Sequence, residues 1–168
     1  PGGAALDATM GNGFDTLFLC ELVGERGRVY AFDVQPQALE RTRSRLEEAG
    51  VADRARLILD GHQNAAIHVR EPLDAAAFNL GWLPGVEKKV TTRAETTLAA
   101  LSSCLKLLRP GGLLTVCAYP GHPEGARELQ ALVDWARALD GKSCQALVRA
   151  YLNQPPAAPA MIAVQRLK

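Results

Sequence analysis

The chain is organised around Leu6-Asp7-Ala8-Thr9-Met10-Gly11-Asn12-Gly13-Phe14-Asp15-Thr16. It runs from apolar residues through a glycine turn into the start of a helical pattern. It reads as the end of a buried strand, a tight loop and the first turn of a helix. Gly11 and Gly13 let the backbone turn sharply and approach a ligand closely. The helix that follows offers unpaired N–H groups and the positive end of its dipole. In an α/β protein, such a junction binds a nucleotide-like ligand.

Outward from this stretch, strands and helices alternate. Ala4–Ala8 is the first strand. Phe14, Leu17, Phe18 and Cys20–Leu22 follow at helical spacing, and Gly24 and Gly27 close that helix. Arg28–Asp33 is a second strand ending in an acid. Pro36 opens a second helix, which carries Leu39 and Leu46 and stops at Gly50. Ala55–Leu59 is a third strand, followed by Asp60-Gly61-His62 and a weak helix over Gln63–His68. Asp74–Leu80 reads as the fourth strand, although its alanines also suit a helix. Leu98, Leu101, Leu105 and Leu108 mark a helix over Thr92–Leu108, which Arg109-Pro110-Gly111-Gly112 should terminate. Leu113–Tyr119 is a fifth strand, and Pro123–Leu139 a helix with Leu129, Leu132, Val133 and Trp135 inward. Cys144–Leu152 and Met161–Leu167 are strands separated by the proline-rich loop 153–159. The alternation implies a parallel sheet with helices on both faces, and the last two strands should form an antiparallel hairpin. The expected architecture is α/β: a Rossmann-like three-layer sandwich on a seven-stranded, mostly parallel sheet, as in class I S-adenosylmethionine-dependent methyltransferases.

Bulk properties bound the partners. The 168 residues, 48% hydrophobic, suit one domain over 1–168 with a full core. A net charge of +1 gives no general case for nucleic acid, though it leaves room for a local basic patch. Cys20, Cys104, Cys117 and Cys144 form no CxxC pair and have no histidine cluster beside them. They read as reduced thiols of a cytoplasmic protein, and no metal is expected. No apolar run reaches the roughly 18 residues of a membrane span, and no signal peptide is visible. A strand beginning so soon after Pro1 is expected of a chain shortened at its amino end.

The loop's flanking residues narrow the ligand. A dinucleotide fingerprint places a third glycine where this chain has Thr16. Asp7 and Asp15 flank the loop, and their charges would repel a pyrophosphate. S-adenosylmethionine instead carries a sulfonium and an ammonium, which nearby carboxylates favour. The predicted contacts are Asp7, Thr9, Gly11, Asn12, Gly13, Asp15 and Thr16. Asp33, 20 residues beyond Gly13, can accept both ribose hydroxyls, with Gln35 beside it. Asp60, Gly61 and His62 lie where the adenine is held: Asp60 either accepts from the adenine amino group or caps the next helix. An NAD-dependent oxidoreductase is the competing reading of the loop and Asp33.

A second loop points to the acceptor. Asn79-Leu80-Gly81-Trp82 follows the fourth strand and has the shape of the Asn-Pro-Pro-Tyr signature of amino-group methyltransferases. An Asn oxygen and a backbone carbonyl can accept amine N–H groups and aim the nitrogen lone pair at a methyl group. An aromatic ring three residues on can stack on a base. Asn79 and Trp82 are therefore the candidate catalytic residues, and Asn79, Leu80 and Gly81 are also predicted to line the donor. The alternative is a plain turn with a core tryptophan. Lys88, Lys89, Arg93 and His122 are candidate phosphate contacts, or surface groups. His122 is equally suited to starting the helix at Pro123.

Four motifs carry a family resemblance. They are Asp7-Ala-Thr-Met-Gly-Asn-Gly with Asp15-Thr16-Leu-Phe-Leu, Tyr30-x-Phe-Asp33-x-Gln35, Phe78-Asn79-Leu80-Gly81-x-Leu83-Pro84-Gly85, and Gly121-His122-Pro123-Glu124-Gly125. Together they resemble the small bacterial YtqB/MnmM-type methyltransferases, a group labelled rRNA methylases. The resemblance covers nearly the whole chain. It implies methylation of the 5-aminomethyl group of a tRNA wobble uridine, often 2-thiolated, to the 5-methylaminomethyl form. It implies Asp33 on the ribose and Asn79 with Trp82 facing the substrate; Trp82, Pro84, Lys88 and His122 are the candidate substrate contacts. The chain departs from the family at Phe14 and Pro120, where histidines are usual, at Trp82, where tyrosine is common, and at Gly85-Val86-Glu87-Lys88. The family also has a helix before the first strand. Methylation of rRNA, a protein or a small amine, and a non-catalytic S-adenosylmethionine-binding module, are the alternatives. A homodimer through the apolar last strands is a further expectation.

Overall fold

The computed structural model describes residues 1–81 and 94–168. Its strands are β1 (Ala4–Asp7), β2 (Arg28–Asp33), β3 (Ala55–Leu59), β4 (Leu73–Asn79), β5 (Leu108–Ala118), β6 (Cys144–Arg149) and β7 (Ala160–Arg166). Its α-helices are α1 (Phe14–Val23), α2 (Pro36–Glu48), α3 (Ala65–His68), α4 (Ala94–Leu107) and α5 (Pro123–Arg137). The sheet order is β3-β2-β1-β4-β5-β7-β6. β3, β2, β1, β4 and β5 pair in parallel, while β7 runs antiparallel to both β5 and β6. The C-terminal hairpin thus joins the sheet by its second strand, and β6 becomes the edge.

Strand parity divides the core. Leu6, Phe32, Phe78, Leu114, Val116, Ile162 and Val164 pack with Leu101, Cys104 and Leu132 of α4 and α5. Ala5 and Val29 face the other way and pack with Leu19, Cys20 and Val23 of α1 and Leu46 of α2. That second face is incompletely covered: Leu113 is 43% exposed and Leu147 is 58% exposed. Register places Leu113 beside Ala75 and Leu147 beside Ala163, on the face of α1 and α2. Helix α1 also leaves Phe14, Phe18 and Leu22, spaced four residues apart, exposed.

The predicted elements form, with shifted bounds. The largest difference is β5, which begins at Leu108 rather than Leu113. Arg109-Pro110-Gly111-Gly112 ends α4 as expected, but is absorbed into the strand as a bulge. Leu108 pairs with Leu73 and Leu113 with Ala75, so the residues between bow out. Gly111, at φ 83, supplies the left-handed backbone this needs. β6 stops at Arg149, short of the Leu152 expected. Asp74–Leu80 is strand, with Leu73 in and Leu80 just beyond, despite its alanines. The weak helix over Gln63–His68 is a 3-10 turn at His62–Asn64 running into the single turn of α3. Cys20, Cys104 and Cys144 are buried and Cys117 half-buried, all free thiols. Among the described residues no helix is long and apolar enough to cross a membrane, and no His/Cys/Asp/Glu group could hold a metal ion.

Candidate active site

The parallel strands β1, β2, β3 and β4 end together at one edge of the sheet, and the predicted residues gather there. Gly13 has φ 79, and a Cβ built on it would lie 2.9 Å from the Thr42 Cα. A glycine is therefore required where α2 crosses the loop. The loop is held from both sides. From β2, Asp33 Oδ2 accepts the Gly11 N–H at 3.1 Å while Oδ1 accepts the Gln35 N–H at 3.0 Å. From α2, Thr42 donates to the Gly11 carbonyl at 3.3 Å, Arg45 Nε to the Asn12 carbonyl at 2.7 Å and Arg41 to Asn12 Oδ1 at 3.0 Å. The Arg45 guanidinium also lies 3.6 Å over the Phe14 ring.

Asp7 sits beneath the loop and is 1% exposed. Its oxygens accept the Thr16 hydroxyl at 2.6 Å and the Thr9 N–H at 3.0 Å. Burial pushes its carboxyl up to about 7, and the charges of Asp15 and Asp33 add to that against the two hydrogen bonds. Asp7 and Thr16, both predicted contacts, brace the loop from within, Thr16 fully buried.

Asp60 is likewise drawn into its own segment. Oδ1 accepts from the Gly61 N–H at 2.7 Å and the Asn64 amide at 2.8 Å, and Oδ2 meets His68 Nε2 at 2.8 Å. These bonds, the one to His68 foremost, hold its carboxyl below the usual range. Asp60 does not cap the turn that follows, whose cap position is Gly61 and lacks a side-chain cap bond; its contacts brace its own segment instead. His62 differs. Its Nδ1 donates to the Ala8 carbonyl at 3.1 Å, which leaves Nε2 as an acceptor, and that atom is buried without a partner among the described residues. Burial lowers the imidazole's basicity and favours this neutral form, against the Ala8 bond and the charge of Asp33.

Across the loop lies Asn79, at the end of β4. Its N–H donates to the Thr9 hydroxyl at 2.8 Å. Its carboxamide Nδ2 reaches Asp15 Oδ2 at 3.3 Å, and its Oδ1 accepts the Tyr119 hydroxyl at 2.7 Å. Leu80 is buried, so its side chain belongs to the core, and its N–H donates to the Cys117 carbonyl at 3.0 Å. Gly81 has φ 133. His122 caps α5, its Nδ1 accepting the Gly125 N–H at 3.1 Å. Trp82, Pro84, Lys88, Lys89 and Arg93 lie outside the described residues.

Tyr119, Thr42 and Arg45 were not anticipated. Parity could have found Tyr119: Cys117 pairs with Asn79, and Tyr119 lies two residues beyond it. Thr42 and Arg45 carry no such signal.

The site fits S-adenosylmethionine on two counts. His62 Nε2 is an orphaned acceptor that an adenine amino group could satisfy. Asp15 and Asp33 make the loop electronegative, which suits a cationic ligand. Among known proteins, a family model described as "Putative rRNA methylase" matches residues 29–165. The chain belongs to the rRNA methylase family. A Clostridium thermocellum structure of the same description superposes with a TM-score of 0.96 at 38% identity, covering 99% of this chain and 89% of that one. SMU.1697c from Streptococcus mutans, solved in complex with SAH, gives a TM-score of 0.89 at 41% identity, covering 98% and 89%. The fold is therefore that of the class I methyltransferases. A chloroplastic tRNA (mnm(5)s(2)U34)-methyltransferase of Arabidopsis thaliana is 39% identical over 141 residues, which are 78% of this chain and 52% of that protein. The chain spans about half the length of the curated relatives it matches.

Proposed function

We propose that this protein is an S-adenosylmethionine-dependent methyltransferase acting on RNA. Its reaction is N-methylation of the 5-aminomethyl group on a tRNA wobble uridine or 2-thiouridine, giving the 5-methylaminomethyl form. The observation that carries the reading is the Asn79 carboxamide, held at the strand ends beside Asp15 and opposite the glycine loop. The sequence similarity to the Arabidopsis tRNA methyltransferase supports the same substrate.

Asp33 is proposed to accept the ribose hydroxyls, its carboxylate already oriented by Gly11 and Gln35. His62 Nε2 accepts from the adenine amino group. When bound, S-adenosylmethionine supplies a methyl carbon on cationic sulfur, which the amine lone pair takes as the carbon–sulfur bond breaks and an amine proton passes to solvent. Asn79 Oδ1 accepts an N–H of the neutral amine and so aims the lone pair. Asp15 holds the other end of that carboxamide and adds negative potential beside the site. No side chain needs to be a strong base, because the rate comes from positioning. Trp82 is proposed to stack on the base, with Pro84, Lys88 and His122 along the RNA.

Incubation with S-adenosylmethionine and tRNA carrying 5-aminomethyl-2-thiouridine should add one methyl group to that nucleoside, read by mass spectrometry of the digest. Methylation of rRNA, protein or small amines instead, or cofactor binding without transfer to any of them, would overturn the reading.

A further inference from the structure

We infer that Tyr119 is a positioning residue, whose hydroxyl fixes the rotation of the Asn79 carboxamide so that its oxygen is presented to the acceptor amine. The inference rests on the amine-methylation reading of Asn79 given above.

An exposed carboxamide has two faces that differ in chemistry but hardly in shape. Rotated by half a turn, it exchanges an acceptor oxygen for a donor NH2. For an amine acceptor the difference is decisive. The oxygen takes an N–H and leaves the lone pair free, whereas the NH2 donates to that lone pair and blocks it. Asn79 is exposed, so core packing does not make the choice.

Two unlike partners make it instead. Asp15 Oδ2, 3.3 Å from Nδ2, belongs to a carboxylate and can only accept. The Tyr119 hydroxyl, 2.7 Å from Oδ1, donates. In the rotated form the amide oxygen would face a carboxylate oxygen, and the Tyr119 hydroxyl would have to turn from donor to acceptor. Asp15 thus sets which way the carboxamide points, and the shorter bond from Tyr119 holds the oxygen in that place. The Thr9 hydroxyl fixes the backbone at Asn79, so the side chain hinges from a held point. One Oδ1 lone pair is taken by Tyr119, and no other bond to that oxygen is made among the described residues.

The fold supplies this arrangement through register. Asn79 is the last residue of β4 and pairs with Cys117 of β5. Tyr119 stands two residues beyond Cys117, on the same face of the sheet. Burial holds the phenol above its ordinary range, so it remains a donor at neutral pH.

Tyr119→Phe keeps the ring and removes only the donor. The expected result is a kcat lower by roughly 10- to 100-fold, with KM for S-adenosylmethionine unchanged. In an Asn79→Ala background the same change should cost nothing further, because Tyr119 acts through Asn79. A purely structural tie between β4 and β5 would give additive losses. A readout independent of turnover is the Asn79 side-chain amide pair in 15N-labelled protein without cofactor, assigned by its loss in Asn79→Ala. Tyr119→Phe should shift and broaden that pair. An unchanged amide pair, an unchanged kcat or additive losses would each overturn the inference. If the wild type transfers no methyl group to 5-aminomethyluridine tRNA, the parent reading fails, and the amide signals still decide whether Tyr119 sets the rotation.

Discussion

Asp7 carries a proton to a higher pH in the folded protein than in the unfolded chain. Its folded value is about 7, against an ordinary 3.8. Between those values the unfolded chain has lost the proton and the native state keeps it. Stability contributed at this site therefore falls as pH rises from about 4 to about 7, and levels off above that. Asp7→Asn should remove this slope, so the variant's urea midpoint gains on the wild type across that window. Parallel profiles would show that Asp7 titrates normally. Gly13→Ala makes a different demand, because it puts a side chain at φ 79 against Thr42. It should cost about 1–3 kcal/mol, read as a lower melting temperature. Asn79→Ala should leave folding intact and lower kcat on the order of 100-fold. A variant that kept wild-type kcat would remove Asn79 from the chemistry.

Helix α2 acts on the donor site without facing it. Arg45 ties the Asn12 carbonyl and covers Phe14, and Thr42 takes the Gly11 carbonyl. Arg45→Ala should loosen the loop by about 1 kcal/mol and weaken S-adenosylmethionine binding several-fold in calorimetric titration. Unchanged affinity would mean the loop orders itself. These ties also mark how far the amino-acid sequence by itself reaches. The loop, its glycines, Asp33 and the β/α alternation were legible because local spacing determines them. Thr42, Arg45 and Tyr119 were not, because they meet their partners 31, 33 and 40 residues away. Asp60 was half-legible: its position is local, but its choice of Asn64 and His68 depends on how the turn closes. Arg109–Gly112 has the composition of a loop and became strand because its neighbours Leu108 and Leu113 both found partners on β4.

At the scale of the whole molecule, one sheet face is better covered than the other. Leu113 and Leu147 are exposed on the face of α1 and α2, and Val148 is exposed on the edge strand β6. An apolar edge strand pairs readily with another chain. The protein should bind a hydrophobic dye while folded and self-associate as its concentration rises. Leu147→Lys should reduce both while moving stability by no more than about 0.5 kcal/mol. Sedimentation equilibrium of the two proteins checks this, and a wild type that stays monomeric would count against the homodimer. The sheet order also constrains synthesis. β7 is the last strand in chain order, yet it lies between β5 and β6. A nascent chain that has not reached Ala160 has β5, and with it the Tyr119 end of the site, open along one side. Because β7 lies inside the sheet, the β5 side of the site closes only once Ala160–Arg166 has been synthesised.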